Sequence, residues 1–565
     1  MRFVVALLLG AALHIDSVRA QEASCVDLSN LNDAELASYS FAVGNDAAAM
    51  QQLVPDHQYL TGEVRVVIQP IFDTSDPAED RWLFRWADRL HLNTRTELIE
   101  AVILFRPGEP VKVSTLLESE RILRAKSYLY DARVIPRRLC GDRIDVDVVV
   151  REVWTLYPSF DFSRSGGNNA YEYGIIDTNL LGTGQTLSMF FQKDEDRDGT
   201  GVRYQNPNVA GSRIAIDTLL ENNSDGSRYV VDVGQPFYGL DVRRALGARL
   251  EDADQEQGLY VLGDKFAEFR QQYQQLGIGG GISNGEHQGR TFRWLAGYAY
   301  EDHKFSAVPG SVPPDPLPVD RTLGYPWIGF ASIEDRFDTT VNVDRIYRTE
   351  DLDLGRTYNA LLGWSDAAFG GDDTSRLVLR ADYRDGIRRD DNHLLFYGVN
   401  LHGYWNFDLD ESEQVTAQAY TTYRQQQTGR FSLAGTLRGT VVRNLPTDLQ
   451  LLGGGDTGLR GYPSRYQWGN RSFLFSLEER YFSDIYIARL LRLGFAMFVD
   501  AGRTWFSNGP SGDGFGVLAD VGFGVRFEST RTRQDRVLHV DFAFPLVDGP
   551  GVQSMQILVV AEERF

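Results

Sequence analysis

The sequence predicts a mainly β protein: a transmembrane antiparallel β-barrel preceded by one small α/β module. Three observations carry that expectation. From Trp154 to Phe565 apolar and polar residues alternate with period two, and the apolar rows are rich in aromatics. Clusters of Gly, Asp and Asn punctuate the alternation, at 197–201, 222–226, 370–373 and 508–514. The chain opens on an export-type leader, yet no later stretch reaches the ~18–20 consecutive apolar residues that a membrane-spanning helix needs. In lipid only helices and closed barrels satisfy every backbone N–H and C=O. The competing reading is a large soluble sandwich or propeller; the chain shows no blade-like repeat, and such folds have less use for so many aromatic rows.

In chain order, residues 1–20 read as a secretory signal. Arg2 supplies the positive end, Phe3 to Leu13 the apolar run, and Val18 and Ala20 the small residues of a cleavage site. Residues 21–60 are acidic and Ala-rich and read as a linker or short helices of a periplasmic N-terminal segment. The chain has two cysteines, Cys25 and Cys140. In an oxidising periplasm they can pair; two separate thiols are an equal reading without geometry.

Residues 61–153 read as one compact α/β module. Glu63 to Ile71 is β-branched and strand-like. Arg81 to Leu90 suits a helix, with Trp82, Arg85, Trp86 and Arg89 recurring about once per turn. Ala101 to Phe105 reads as a short apolar strand. Thr115 and Glu118 have capping-box spacing, which predicts a helix N-terminus there. Two strands follow, Ala132 to Arg138 and Arg143 to Val153, the second with an apolar row at Ile144, Val146, Val148 and Val150.

Residues 154–565 are the expected barrel. Phe292, Trp294, Ala296, Tyr298 and Tyr300 form one row, with Arg293, Gly297 and Glu301 opposite. Leu493, Phe495, Met497 and Val499 form another, with Gly494, Ala496, Phe498 and Asp500 opposite. A strand between lipid and a polar lumen needs this pattern. Parity therefore points Phe498 and Asp500 into the lumen, and Glu478 and Arg480 likewise.

Composition narrows the function. A net charge of −21 argues against nonspecific nucleic-acid binding. A mean hydropathy of −0.30 is too polar for a helical membrane protein but compatible with a barrel. No G-x-S-x-G, H-E-x-x-H, P-loop or C-x-x-C occurs, and the 8 histidines are scattered, so no enzyme and no cofactor is expected. Asp194, Asp196 and Asp198 resemble the start of a calcium loop, but Gln205 stands where such a loop has its bidentate Glu. An acidic hairpin turn is the first reading there and a calcium site a distant second.

The stretch Gly453–Tyr462, GGGDTGLRGY, cannot be regular helix or strand; it shapes a tight loop that presents Arg460. Phe498-Val-Asp500-Ala-Gly502 follows inside an alternating strand. This pair resembles the signature of the bacterial superfamily of outer-membrane insertases and translocases that includes BamA, TamA and the two-partner secretion transporters. The segments Leu104–Val111 (LFRPGEPV), Glu118–Arg124 (ESERILR) and Val150–Pro158 (VREVWTLYP) resemble the phrasing of its periplasmic POTRA domains. Only one copy is evident, unlike the several of BamA or the usual two of two-partner transporters.

The resemblance implies sixteen strands, a Gram-negative outer-membrane location and a periplasmic POTRA. It implies that Leu459, Arg460, Gly461 and Tyr462 dock inside the lumen against Phe498, Asp500 and Gly502, with Glu478 a second partner for Arg460. The terminal Phe565 resembles an assembly signal, although Glu563 stands where an apolar residue is expected. The implied function is protein insertion or translocation. The implied partners are outer-membrane lipid, client proteins or unfolded barrel precursors, and periplasmic chaperones or accessory lipoproteins. A passive channel or a lipid-homeostasis barrel is the alternative.

Overall fold

The computed structural model describes residues 25–29, 31–39, 41, 54, 57–73, 76–507, 516–532 and 536–562. The expected leader and Phe565 lie outside the described residues.

The N-terminal module is built from β1 (Cys25–Asp27), α1 (Asp33–Ala37), β2 (Tyr59–Gln69), α2 (Trp82–Leu90), α3 (Thr96–Val102), β3 (Pro110–Val111), α4 (Val113–Arg124), β4 (Leu129–Cys140) and β5 (Arg143–Glu152). Its sheet runs β1-β4-β5-β2-β3. Among the described residues, only β2 and β5 of this sheet pair in parallel. The apolar row of β5, Ile144 to Val150, is fully buried against Ile99, Leu116 and Leu123 of α3 and α4. Burial of such a row is the main drive for the module's fold. A disulfide joins Cys25 to Cys140 and fastens β1 to the end of β4.

Two local expectations fail. Ala101 and Val102 end α3 rather than begin a strand. The run is apolar because Ile99, Val102, Ile103 and Phe105 are all buried, and a short apolar run does not distinguish a buried helix end from a strand. Thr115 does not cap α4, which starts at Val113. Glu118 instead turns outward to the barrel, where its Oε1 accepts the Leu240 N–H at 2.8 Å.

The barrel is closed and antiparallel, with 20 strands rather than sixteen. The expected number came with the resemblance, not from the residues. The six strands between Leu156 and Gln235 are only 8 to 10 residues long. Connections of two to eight residues join them, so more crossings fit than sixteen longer strands would give. Strand faces follow the alternation: Trp294 (61% exposed) and Met497 (69%) point outward, whereas Phe498 and Asp500 are buried inside.

The module docks on one rim, here the near rim. Two barrel turns clamp both ends of α3. Gly182 O accepts the Arg95 N–H at 3.1 Å, and the Arg213 guanidinium donates to Val102 O and Ile103 O. Both turns place a residue and the following glycine at positive φ (Leu181 and Gly182; Ala210 and Gly211), and an Asn side chain accepts from across each turn.

Glu118 makes this junction pH-sensitive. Burial pushes its carboxyl up to about 7, helped by Asp335 and Asp241 and opposed by the Leu240 N–H and Arg121; Arg293 also faces it. A raised carboxyl holds a proton in the folded state that the unfolded chain releases above its ordinary value of 4.5. The docked state therefore loses stability as pH rises from that value through about 7. Proteolysis of the junction should increase between pH 5 and pH 8, and Glu118→Gln should flatten that dependence.

Candidate functional site

Residues 444–470 leave the far rim between the strands Phe431–Arg443 and Arg471–Ile487 and fold into the lumen. Gly458 sits at φ +114°, a conformation that side chains resist. Gly461 lies so close to the wall that a Cβ would meet Asp520 Cβ at 2.7 Å. At Gly502 a Cβ would meet Phe473 O at 2.7 Å and Leu459 Cδ2 at 3.3 Å, so the wall is thin where the loop packs. Leu459 and Tyr462 are buried with Tyr466 and Leu518. The Tyr462 hydroxyl donates to Ala519 O at 2.7 Å and accepts the Ala519 and Val547 N–H groups.

This scaffold holds Arg460 in a ring of lumen carboxylates. Its Nε and Nη2 form a bidentate pair with Asp500, at 2.7 and 3.0 Å. Its Nη1 reaches Glu478 at 2.9 Å and Asp541 at 3.3 Å. Ser476 Oγ donates to Asp500 at 2.6 Å, and the guanidinium lies 3.3 Å from the centroid of the Phe498 ring. Charge-assisted forks of this kind are strong and geometrically specific. The structure thus brings Arg460 together with Phe498, Asp500 and Glu478.

Sequence reasoning missed Asp541, Arg526 and Asp520. The fully buried Arg526 pairs with both Asp541 and Glu478, and Asp520 lies opposite Asp500 in register. All three sit on inward rows of the last strands, so parity was the signal available.

The Asp194–Asp198 hairpin serves the same loop. Asp194 Oδ1 accepts the Asp196 and Arg197 N–H groups, closing the turn. Asp196 takes a bidentate pair from Arg465 of the loop, at 3.1 and 2.7 Å. Asp198 lies beside Lys193. Among the described residues no cluster of three or more His, Cys, Asp or Glu is placed to hold a metal.

A second insertion enters from the near rim. Between Glu334 and Thr357, strands Phe337–Thr340 and Glu350–Asp353 form a hairpin. Its tip buries Val343 against Leu394 and Ile346 against Phe482 and Ala496. Glu350 accepts the Val343 and Asp344 N–H groups, and Glu528 accepts the Ile346 N–H. Arg480 donates to Val343 O at 2.9 Å and to Asp344 at 3.2 Å, while its Nε holds Glu478 at 2.9 Å. The two insertions therefore meet on one strand, at Glu478 and Arg480. Along its length, from base to tip, the hairpin also grips the module. Arg124 forks onto Asp351 at 2.7 and 2.5 Å, Thr349 donates to Asp131, and Arg121 pairs with Asp335.

The Omp85 superfamily domain model matches residues 179–565. Similar solved structures include BamA from Haemophilus ducreyi lacking POTRA domains 1-3, at 14% identity over 88% of this chain and 84% of that chain, with a TM-score of 0.37. CdiB from Escherichia coli is 12% identical over 97% of this chain and 93% of that chain, with a TM-score of 0.44. No curated protein matches the sequence significantly. With a domain match across most of the barrel, the chain belongs to the Omp85 superfamily of outer-membrane β-barrels, which insert or translocate proteins.

Proposed function

We propose that this chain inserts or translocates protein clients at the outer membrane, with residues 61–153 as a single periplasmic POTRA domain and residues 154–565 as the barrel. The inward Leu459–Tyr462 tip latches the lumen by seating Arg460 among Asp500, Glu478 and Asp541. The observation that carries the reading is the barrel seam. Among the described residues, the last strand Gln556–Glu562 meets the first, Leu156–Ser165, through a single register pair, Val559 with Arg164. Every other neighbouring pair in the barrel has at least seven. We read this seam between the last and first strands as the place where the wall opens.

A client in extended form pairs with a free sheet edge. The strand Arg143–Glu152 is central in the module sheet and unsuited to this. Beyond Leu60, β2 has register partners only in β5 among the described residues, which makes Val64–Gln69 the better edge. Periplasmic chaperones or accessory lipoproteins would deliver clients there. A steady passive channel is disfavoured by the two insertions that meet in the lumen.

The test is site-specific photocrosslinking in cells, with probes at Val66 and at Val559. Crosslinks from both positions to an unfolded barrel or a secreted protein are expected. Crosslinks to lipid alone from a folded barrel would overturn protein handling in favour of a lipid-homeostasis role.

A further inference from the structure

The helix α2 carries a surface that neither the seam nor the latch uses. Its inner face is docked. Phe84 stacks on Phe72 at 4.1 Å and packs with Ile71, Ala87, Trp154 and Leu490. Arg531 fastens the segment to the near rim through Ile71 O and Glu79, and Arg531 O accepts the Trp154 N–H at 2.7 Å. Leu490 and Arg531 follow the strands Arg471–Ile487 and Leu518–Ser529, and Trp154 precedes the first barrel strand, at the seam. The helix is thus held at a fixed height on the rim.

Two further stripes face out. Trp82 is 74% exposed, Trp86 55% and Leu83 46%. At 3.6 residues per turn these three share one side of the helix. Arg81, Arg85 and Arg89, all exposed, recur every fourth residue along the adjoining side. Arg85 has the exposed Asp80 at 2.8 Å. Two tryptophans left in water beside a basic row have no folding rationale. Next to them the barrel's outward face continues the apolar surface, with Ile485, Ile487, Leu491 and Leu156 all exposed at the same rim.

We infer that α2 is an interfacial membrane anchor, with Trp82, Leu83 and Trp86 in the headgroup–acyl boundary of the adjacent leaflet and the arginine row on anionic phospholipid headgroups. Tryptophan favours that boundary because its ring is apolar with one polar handle, and basic side chains beside an apolar face add attraction to anionic lipid. The inference rests on the reading that the near rim faces the periplasm, so the lipid is the inner leaflet of the outer membrane. There the anchor grips the leaflet directly under the seam.

The test uses the full chain in nanodiscs. Its two cysteines are disulfide-bonded, so one added thiol takes a polarity-sensitive fluorophore cleanly. Trp86→Cys and, separately, Leu83→Cys report the helix; Met497→Cys on the outward wall reports the barrel. An interfacial helix lies about 5–10 Å into the boundary, so lipid spin-labelled near the headgroup should quench the helix probes about twofold. Quenching should strengthen with phosphatidylglycerol content and weaken when Arg81, Arg85 and Arg89 become Gln. A quenched Met497 probe with unquenched helix probes would overturn the anchor and leave the barrel intact. Failure of all three probes in a heat-modifiable, folded chain would overturn the membrane reading as well.

Discussion

Arg460→Ala is expected to unlatch the inward loop and to destabilise the folded barrel by about 3–5 kcal/mol, the usual cost of removing one partner from a buried ion pair. The size follows from what the arginine leaves behind. Asp500, Glu478 and Asp541 converge on one guanidinium. Without it, Asp500 keeps only the Ser476 hydroxyl among the partners described above, and it faces Asp520 across the strand pair. Glu478 and Asp541 are less affected, because Arg526 and Arg480 still hold them. Asp500→Asn should therefore cost less than Arg460→Ala, since the guanidinium retains Glu478 and Asp541. Arg460→Lys should fall between, keeping the charge but losing the fork. The charge swap Arg460→Asp with Asp500→Arg should recover only part of the loss, because an aspartate at 460 would meet Glu478 and Asp541. Urea midpoints of the reconstituted barrel, read with thiol accessibility of a cysteine placed at Ser464, give the comparison. Equal midpoints for Arg460→Ala and the parent would remove the latch.

Much of this site is legible in the sequence. The alternation along Leu493–Asp500 fixed which side chains enter the lumen, because a strand has only two faces. The Gly-rich run around Arg460 announced a shaped loop. Alternation says nothing, however, about which inward side chains from distant strands meet. Arg526 and Asp541 lie on adjacent strands well along the chain from Arg460, and only the inward fold of the loop brings Arg460 to them. The strand number failed for a related reason: the short strands after Leu156 carry their turns inside the Gly and Asp clusters, so boundaries blur. The near-rim hairpin left the faintest trace. Residues 335–356 are mostly polar, and their buried apolar side chains, such as Val343, Ile346, Leu352 and Leu354, show no period. They pack on Leu394, Phe482 and Ala496 of the barrel wall, and Arg480 and Glu528 hold the adjoining backbone, none of which a local pattern can reveal.

That hairpin carries the other large expected effect. Barrels of about 16–18 strands already leave an aqueous channel, and this wall has 20. Two insertions enter the lumen, the latch loop from the far rim and the hairpin from the near rim. Ile333 pairs with Thr357, and the Glu334 N–H donates to Arg356 O, so the hairpin's two ends are already neighbours. Residues 335–355 can therefore be replaced by a two-residue Asn-Gly turn, the geometry that such a strand pair favours. The shortened chain is expected to fold, to keep heat-modifiable mobility, and to turn a silent barrel into a steadily conducting one in planar bilayers. Asp351→Ala is the finer probe. It breaks the fork to Arg124 but leaves Val343, Ile346 and Glu350 in place, so it should loosen the module from the hairpin without opening the pore. If module engagement drives the hairpin, Asp351→Ala should also slow client crosslinking at Val559 while sparing Val66. A shortened chain as silent as the parent would mean that the latch loop alone seals the lumen. Unchanged crosslinking in Asp351→Ala would mean that the module and the lumen work without this link.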